Sequence, residues 1–218
     1  MIGWPIDDPD TAPLKARPDL QVVLEMISRI DDDEPIEAIE HTLMRDLVLA
    51  FELLRHISAT SSSLLVETGS FRHAIMMSGY PQLRRWMAGQ LANAGDDNRL
   101  KAANFAALHR GLLMRQLVPN PSDSEQRREL FMCGVLSVLD RIFAKPVGEL
   151  LTPLEVPQRV RQALVDGGGP FFPMLELVRA LESEAPHNIR IAADALFLEP
   201  LEINRALLRT LVLASTFH

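Results

Sequence analysis

Asp46-Leu47-Val48-Leu49-Ala50-Phe51-Glu52-Leu53-Leu54-Arg55-His56-Ile57 decides how this chain folds. Leu49, Leu53, Leu54 and Ile57 recur at intervals of three and four residues, the spacing that lines one face of an α-helix. A half-buried strand would alternate apolar and polar residues at every second position, and this stretch does not. The spacing predicts a helix over 46–57.

Upstream, Asp31-Asp32-Asp33-Glu34-Pro35 closes one helix and opens another. Carboxylates suit a helix N-terminus, where the backbone dipole presents partial positive charge. The helix before it is predicted over 19–30, with Leu20, Val23, Leu24, Ile27 and Ile30 on its apolar face; the one after it covers 35–43. Residues 1–19 hold Pro5, Pro9, Pro13 and Pro18 among acids and small residues, which reads as an extended arm or linker. Residues 20–218 are predicted to form one helical domain.

Downstream, a polar break at Ser58–Ser63 precedes Ser70, the predicted N-cap of a helix over 71–78. Gly79 ends that helix, and Pro81 occupies the first position of the next, over 81–94. The pair resembles a helix-turn-helix in outline only, and the turn around Gly79-Tyr80 reads as a packing corner. After the Gly95–Asn98 loop a long helix covers 99–117. Pro119 and Pro121 mark a loop, and Ser122 with Glu125 spells the capping box of a helix over 123–144, whose core face includes Leu130, Val135, Leu136, Leu139 and Phe143. Short helices follow at 146–151 and from Pro157, the latter closed by Gly167-Gly168-Gly169. Helices over 171–183, 188–198 and 201–216 complete the chain. A phosphate loop would follow its glycines with Lys and Ser or Thr; here Pro170-Phe171-Phe172 follows, so the run reads as a helix stop. The fold class is all-α: a multi-helix bundle.

The 218 residues suffice for a substantial core. A net charge of −7 opposes nucleic-acid binding, which draws most of its affinity from phosphate neutralisation. Cys133 is the one cysteine, so neither an intramolecular disulfide nor a multi-cysteine metal site can form. The acidic N-terminus (Asp7, Asp8, Asp10) is unlike a signal peptide, and no apolar run approaches the ~20 residues of a membrane helix. A cytoplasmic location with no membrane contact is expected.

Catalytic patterns are missing. None of the six histidines is followed by Asp, and none forms His-Glu-x-x-His. A phosphohydrolase of the HD type needs a His-Asp pair so that imidazole and carboxylate reach one cation. His41, His56, His73 and His109 therefore read as hydrogen-bonded or surface histidines, and Cys133, beside Phe131 and Met132, as a small buried hydrophobe. No Gly-x-Ser-x-Gly elbow exists. No catalytic, cofactor or metal residue is assigned. The nine methionines, Met44, Met76 and Met77 among them, read as core filling, with an adaptable partner surface as the alternative. The most suggestive local feature is Gln82-Leu83-Arg84-Arg85-Trp86-Met87. Arg84, Arg85 and Trp86 are the candidate interface or ligand contact, suited to an anion or an interface hot spot. The structural alternative is a buried Trp86 with both arginines paired to acids.

Four segments carry a family resemblance. Asp46 to Ile57 resembles the Asp-Pro-x-Leu-x-x-x-Leu-Leu-Arg-x-Ile-Asn-Ser helix of the HDOD (HD-related output) domain, with Leu47 for its proline and Ser58-Ala59 for its Asn-Ser. Ser70-Phe71-Arg72-His73-Ala74-Ile75, continuing through Gly79 to Gln82-Leu83-Arg84-Arg85-Trp86, is similar to that family's Ser-Ile-Arg-His-Ala run and Gln-Leu-Arg-Arg-Trp. Gly134-Val135-Leu136-Ser137-Val138-Leu139-Asp140, with Lys145-Pro146, resembles the segment in which catalytic HD proteins carry His-Asp; Ser137-Val138 stands in that place. Gly168-Gly169-Pro170 running into Leu175–Glu182 is the fourth. The resemblance spans about residues 20–215 and is nearest to the HDOD version that follows an EAL domain in bacterial cyclic di-GMP regulators. It implies about ten helices, arranged as a five-helix HD-like core with a smaller N-terminal lobe. It further implies signal transduction by contact with an unidentified signalling protein, without catalysis, affecting motility, stress response or virulence. Gly3-Trp4-Pro5 resembles the end of an EAL domain, so the chain is expected to be a shortened form without cyclic di-GMP hydrolysis. A homo-oligomer is left open.

Three hypotheses make different demands. An interaction module needs an exposed apolar patch, expected near Trp86 or Trp4. A small-ligand (nucleotide) sensor needs a concave pocket near Arg84 and Arg85. A cryptic metal-dependent phosphohydrolase needs a divalent cation at the domain centre.

Overall fold

The helix α1 (Leu20–Asp31) starts where it does because the Asp19 carboxylate accepts from the N–H groups of Gln21 (2.8 Å) and Val22 (3.4 Å). The structure, a computed structural model, describes residues 15–60, 69–118, 124–183 and 186–217. Among them are thirteen α-helices and no strand. The chain is all-α, as the apolar spacing predicts.

Five helices build an N-terminal lobe: α1, α2 (Ile36–Leu43), α3 (Leu47–Thr60), α4 (Phe71–Ser78) and α5 (Tyr80–Gln90). α1 packs on α2 and α5 and buries Val22, Val23, Met26 and Ile30. Leu24, predicted inward, is 45% exposed, because the contacts with both neighbours draw the Val22–Met26–Ile30 side of α1 into the core. In α3, Leu49, Leu53, Leu54 and Ile57 are all buried, as their spacing requires. Asp46 caps it, one oxygen accepting from Leu49 N–H (3.0 Å) and the other from Asp19 N–H, which ties α3 to the start of α1. Asn104 Oδ1 accepts the next N–H, that of Leu47, at 3.1 Å. Ser70 caps α4 as predicted, its hydroxyl accepting from His73 N–H (3.1 Å). Gly79, at φ +66°, makes the corner into α5. α5 ends at Gln90, earlier than predicted, where a turn bonds Asn93 N–H to Gln90 O.

The larger part comprises α6 (Asn98–Gln116), α7 (Ser124–Leu136), α8 (Leu139–Phe143), α9 (Val147–Leu151), α10 (Gln158–Arg161), α11 (Phe172–Glu182), α12 (Pro186–Ala195) and α13 (Pro200–Ala214). α6 is its spine. It crosses α7 at two glycines so closely that a Cβ on Gly134 would lie 2.6 Å from Gly111 Cα. α13 packs on α6 and buries Ile203, Ala206, Thr210 and Ala214. One continuous apolar core runs through both parts, from Val22 to Ala214.

Further sequence expectations need correction or completion, among them the polar break expected from Ser58, since α3 runs on to Thr60. The single helix expected over 123–144 is two helices, because Arg110 Nη1 takes the Ser137 carbonyl (3.2 Å) out of the helical ladder and α8 starts afresh at Leu139. The helix after Pro157 widens into a π-turn over Gln162–Asp166 before Gly167, at φ +63°, stops it. The helix expected over 188–198 ends at Ala195, where Phe197 turns into the left-handed region at φ +54°. Ser122 of the expected capping box and residues 1–14 of the expected arm lie outside the described residues. The rest of that arm is attached: Gly95 N–H donates to Pro18 O (2.9 Å), and Leu20 N–H to Gly95 O (3.0 Å).

Candidate functional site

The α6–α7 crossing places Ser137 beside Arg110 of α6. The Arg110 guanidinium donates to the Ser137 hydroxyl (2.8 Å) and carbonyl (3.2 Å), and in a fork to Glu182 Oε1 (3.1 Å) and Oε2 (2.6 Å) at the end of α11. Ser137 Oγ in turn donates to Gly134 O (2.7 Å). The two charged side chains are only 10% and 13% exposed, so this is an interior ion pair with its donors engaged. A bound positive charge thus sits at the junction of α6, α7 and α11, and it is a guanidinium. Around it, His109 is buried against Phe105, and burial holds its imidazole below the ordinary value. Cys133 is fully buried, its thiol pushed up to about 12 by desolvation. Among the described residues no group of three or more His, Cys, Asp or Glu side chains converges where a metal ion could be held.

Arg84, Arg85 and Trp86 lie together on α5. Arg84 forms a fork with Asp31 at the end of α1 (Nη2–Oδ2 3.0 Å), both groups facing solvent. Trp86 is half-buried, stacked on His56 of α3 with ring centroids 5.6 Å apart. Arg85 is exposed. These side chains line no cavity described for the chain. The predicted site therefore brings α1, α3 and α5 together, one arginine paired and the other facing solvent. Trp4, the other expected focus of an apolar patch, lies outside the described residues.

Exposed apolar surface concentrates instead at the C-terminal helices. On α13, Leu201, Leu208, Leu211 and Val212 are 54–68% exposed, on the side away from Ile203, Ala206, Thr210 and Ala214. Ile191 of α12 is 56% exposed, and Phe197, between the two helices, 93%. A bulky aromatic at φ +54° bears backbone strain, and Phe197 bears it while its ring stands in water. The signal was present in Leu207-Leu208-Arg209-Thr210-Leu211-Val212-Leu213, which holds more apolar residues than one buried stripe requires.

A large concavity lies elsewhere, between α2, α4, α6, α7 and the turn after α13, with a volume of about 1000 Å³. Arg72 enters it already paired to Glu37 (2.8 Å) and Glu40 (2.7 Å). His41 stacks on Phe217 there at 3.9 Å, its imidazole held below its ordinary value by burial and by the charges of Arg45 and Arg29. Met76, expected in the core, is 64% exposed at its edge, because α4 turns its other side, with Phe71, Ala74 and Ile75, inward. Sequence spacing gave no sign of this cavity, which assembles side chains from five separate segments.

No helix among the described residues is long and apolar enough to cross a membrane. No family model matches the chain. The chain is 23% identical over 164 residues to the uncharacterized protein YuxH of Bacillus subtilis (strain 168), a match covering 73% of this chain and 40% of that protein. It is 25% identical over 144 residues to the cyclic di-GMP phosphodiesterase CdgJ of Vibrio cholerae, covering 66% of this chain and 33% of that protein. The matches thus span about two fifths and one third of these relatives. Among solved structures, the MmoQ response regulator from Methylococcus capsulatus str. Bath superposes with a TM-score of 0.69 at 18% identity, over 93% of this chain and 99% of that one. This likeness establishes that the helical arrangement occurs in a known fold.

Proposed function

We propose that this chain is a signal-transduction domain of the HDOD type, acting without catalysis through contact with another protein in a cyclic di-GMP-linked pathway. The observation that carries the reading is the apolar face of α13. A helix already packed on α6 through its small residues has no folding reason to carry Leu201, Leu208, Leu211 and Val212 on the outside. Apolar surface of this kind gains free energy on being covered, at roughly 25 cal/mol per Å².

Further support comes from the centre of the domain. Arg110 already supplies the positive charge that a cation would bring next to Ser137, and the carboxylate of Glu182 is engaged by it in a fork. The likeness to part of a cyclic di-GMP phosphodiesterase, together with the four HDOD-like segments, favours the signalling pathway.

The test pairs a variant with a cellular readout. The Leu208→Glu/Val212→Glu variant should melt within a few degrees of wild type, since both side chains already face water. It should nevertheless fail to restore the cyclic di-GMP level of a strain lacking the gene. Full restoration by a folded double variant refutes the contact role of α13.

A further inference from the structure

We propose that the concavity bounded by α2, α4, α6, α7 and Phe217 binds a small organic anion of the nucleotide class, phosphate to its arginines and flat ring to its aromatic wall. The argument begins with pairing. Arg29, Arg45, Arg72, Arg84, Arg110 and Arg159 each meet a carboxylate. Arg115, Arg127 and Arg128, all lining this cavity, form no ion pair among the described residues. Arg115 is the most telling. It comes from the last turn of α6, its Nε is buried with no hydrogen-bond partner, and its guanidinium lies 5.8 Å over the Phe131 ring. Burial and the nearby charge of Arg127 both work against its protonated form, Glu40 alone favouring it. A buried donor left unsatisfied beside a like charge destabilises the empty state, and an anion relieves both costs.

The chemistry of the anion follows from the walls. Guanidinium groups bind phosphate in bidentate geometry, and three around one cavity suit more than one phosphoryl oxygen. Phe131, His41 and Phe217 all line the cavity and give it an aromatic wall for a ring. About 1000 Å³ is at the upper end of the range for small-ligand pockets. A nucleic-acid strand is disfavoured by the net charge of −7, since a polyanion would meet the whole surface and not this cavity alone. Phe217 belongs to the turn that continues α13, so an occupant would touch the end of the helix that carries the exposed apolar face.

Isothermal titration of the full chain with ADP, GDP, pyrophosphate, adenosine and a short oligo-dT tests the proposal. A nucleoside diphosphate should bind in the micromolar range, and pyrophosphate and adenosine each at least about tenfold more weakly. Arg127→Gln, at a partly exposed position, should lose about tenfold in affinity with its melting temperature unchanged, and Arg115→Gln at least as much. Leu208→Glu/Val212→Glu should bind as wild type does, which separates this site from the docking face. The proposal is overturned if no nucleotide binds below about 1 mM. It is equally overturned if both arginine variants bind unchanged, if pyrophosphate binds as tightly as ADP and GDP, or if only the oligonucleotide binds.

Discussion

Replacing Arg110 with alanine removes the forked pair to Glu182 (3.1 and 2.6 Å) and both hydrogen bonds to Ser137 (3.2 and 2.8 Å). Glu182, 13% exposed in the intact pair, would lose its strongest partner. Breaking a buried pair from one side costs about 3–5 kcal/mol, chiefly through the uncompensated charge. The small residual exposure of both groups places the expected loss near the lower end, about 3 kcal/mol. With a urea m-value of about 2 kcal/mol/M, the unfolding midpoint should fall by roughly 1.5 M. Arg110→Met combined with Glu182→Leu removes both charges and should recover most of that loss, since apolar replacement of a buried pair is often neutral. The reasoning fails if Arg110→Ala lies within about 1 kcal/mol of wild type, or if the double variant is no more stable than the single one.

Gly134→Ala would put a Cβ 2.6 Å from the Gly111 backbone, forcing α6 and α7 apart, and should cost about 3 kcal/mol or more by urea unfolding. Gly89→Ala in exposed α5, where a Cβ meets nothing within 4 Å, should instead stabilise by about 0.5–1 kcal/mol; equal effects at the two glycines would contradict the crossing described. Asp46 supplies a pH dependence. Burial raises its carboxyl from 3.8 to about 6 in the folded chain, so the folded state holds the proton more tightly than the unfolded one. Its contribution is fully present below about pH 4 and lost as pH rises through about 6, some 3 kcal/mol in all. Asp46→Asn cannot titrate, so the stability difference between wild type and variant should shift toward wild type on going from pH 7.5 to 4.5. Parallel pH profiles would sink that assignment.

The helical class was legible because spacing of three and four residues is written into α3 and α13, and caps such as Ser70 and corners such as Gly79 act locally. What escaped sequence reading depends on distant partners. Arg110 looks like an ordinary helical arginine until α11 brings Glu182 to it from 72 positions away. The break between α7 and α8 has the same cause, since a guanidinium from another helix takes the Ser137 carbonyl. Leu24 faces water because neighbours, not periodicity alone, decide which part of a broad apolar face is covered. Arg84, Arg85 and Trp86 drew notice as a cluster in sequence; the structure shows Arg84 bridging to α1 and Trp86 stacked toward α3. The larger assembly of arginines, around Arg115 and Arg127, joins two helices and has no contiguous motif.

Metal content and cyclic di-GMP turnover of one purified preparation test the central reading together. If Arg110 holds the place beside Ser137 and the chain signals by contact, elemental analysis after manganese loading and desalting should find far less than one equivalent of divalent metal, and cyclic di-GMP should stay intact with manganese or magnesium present. One tightly held metal ion per chain, with hydrolysis that disappears on chelation and returns with the metal, would contradict it.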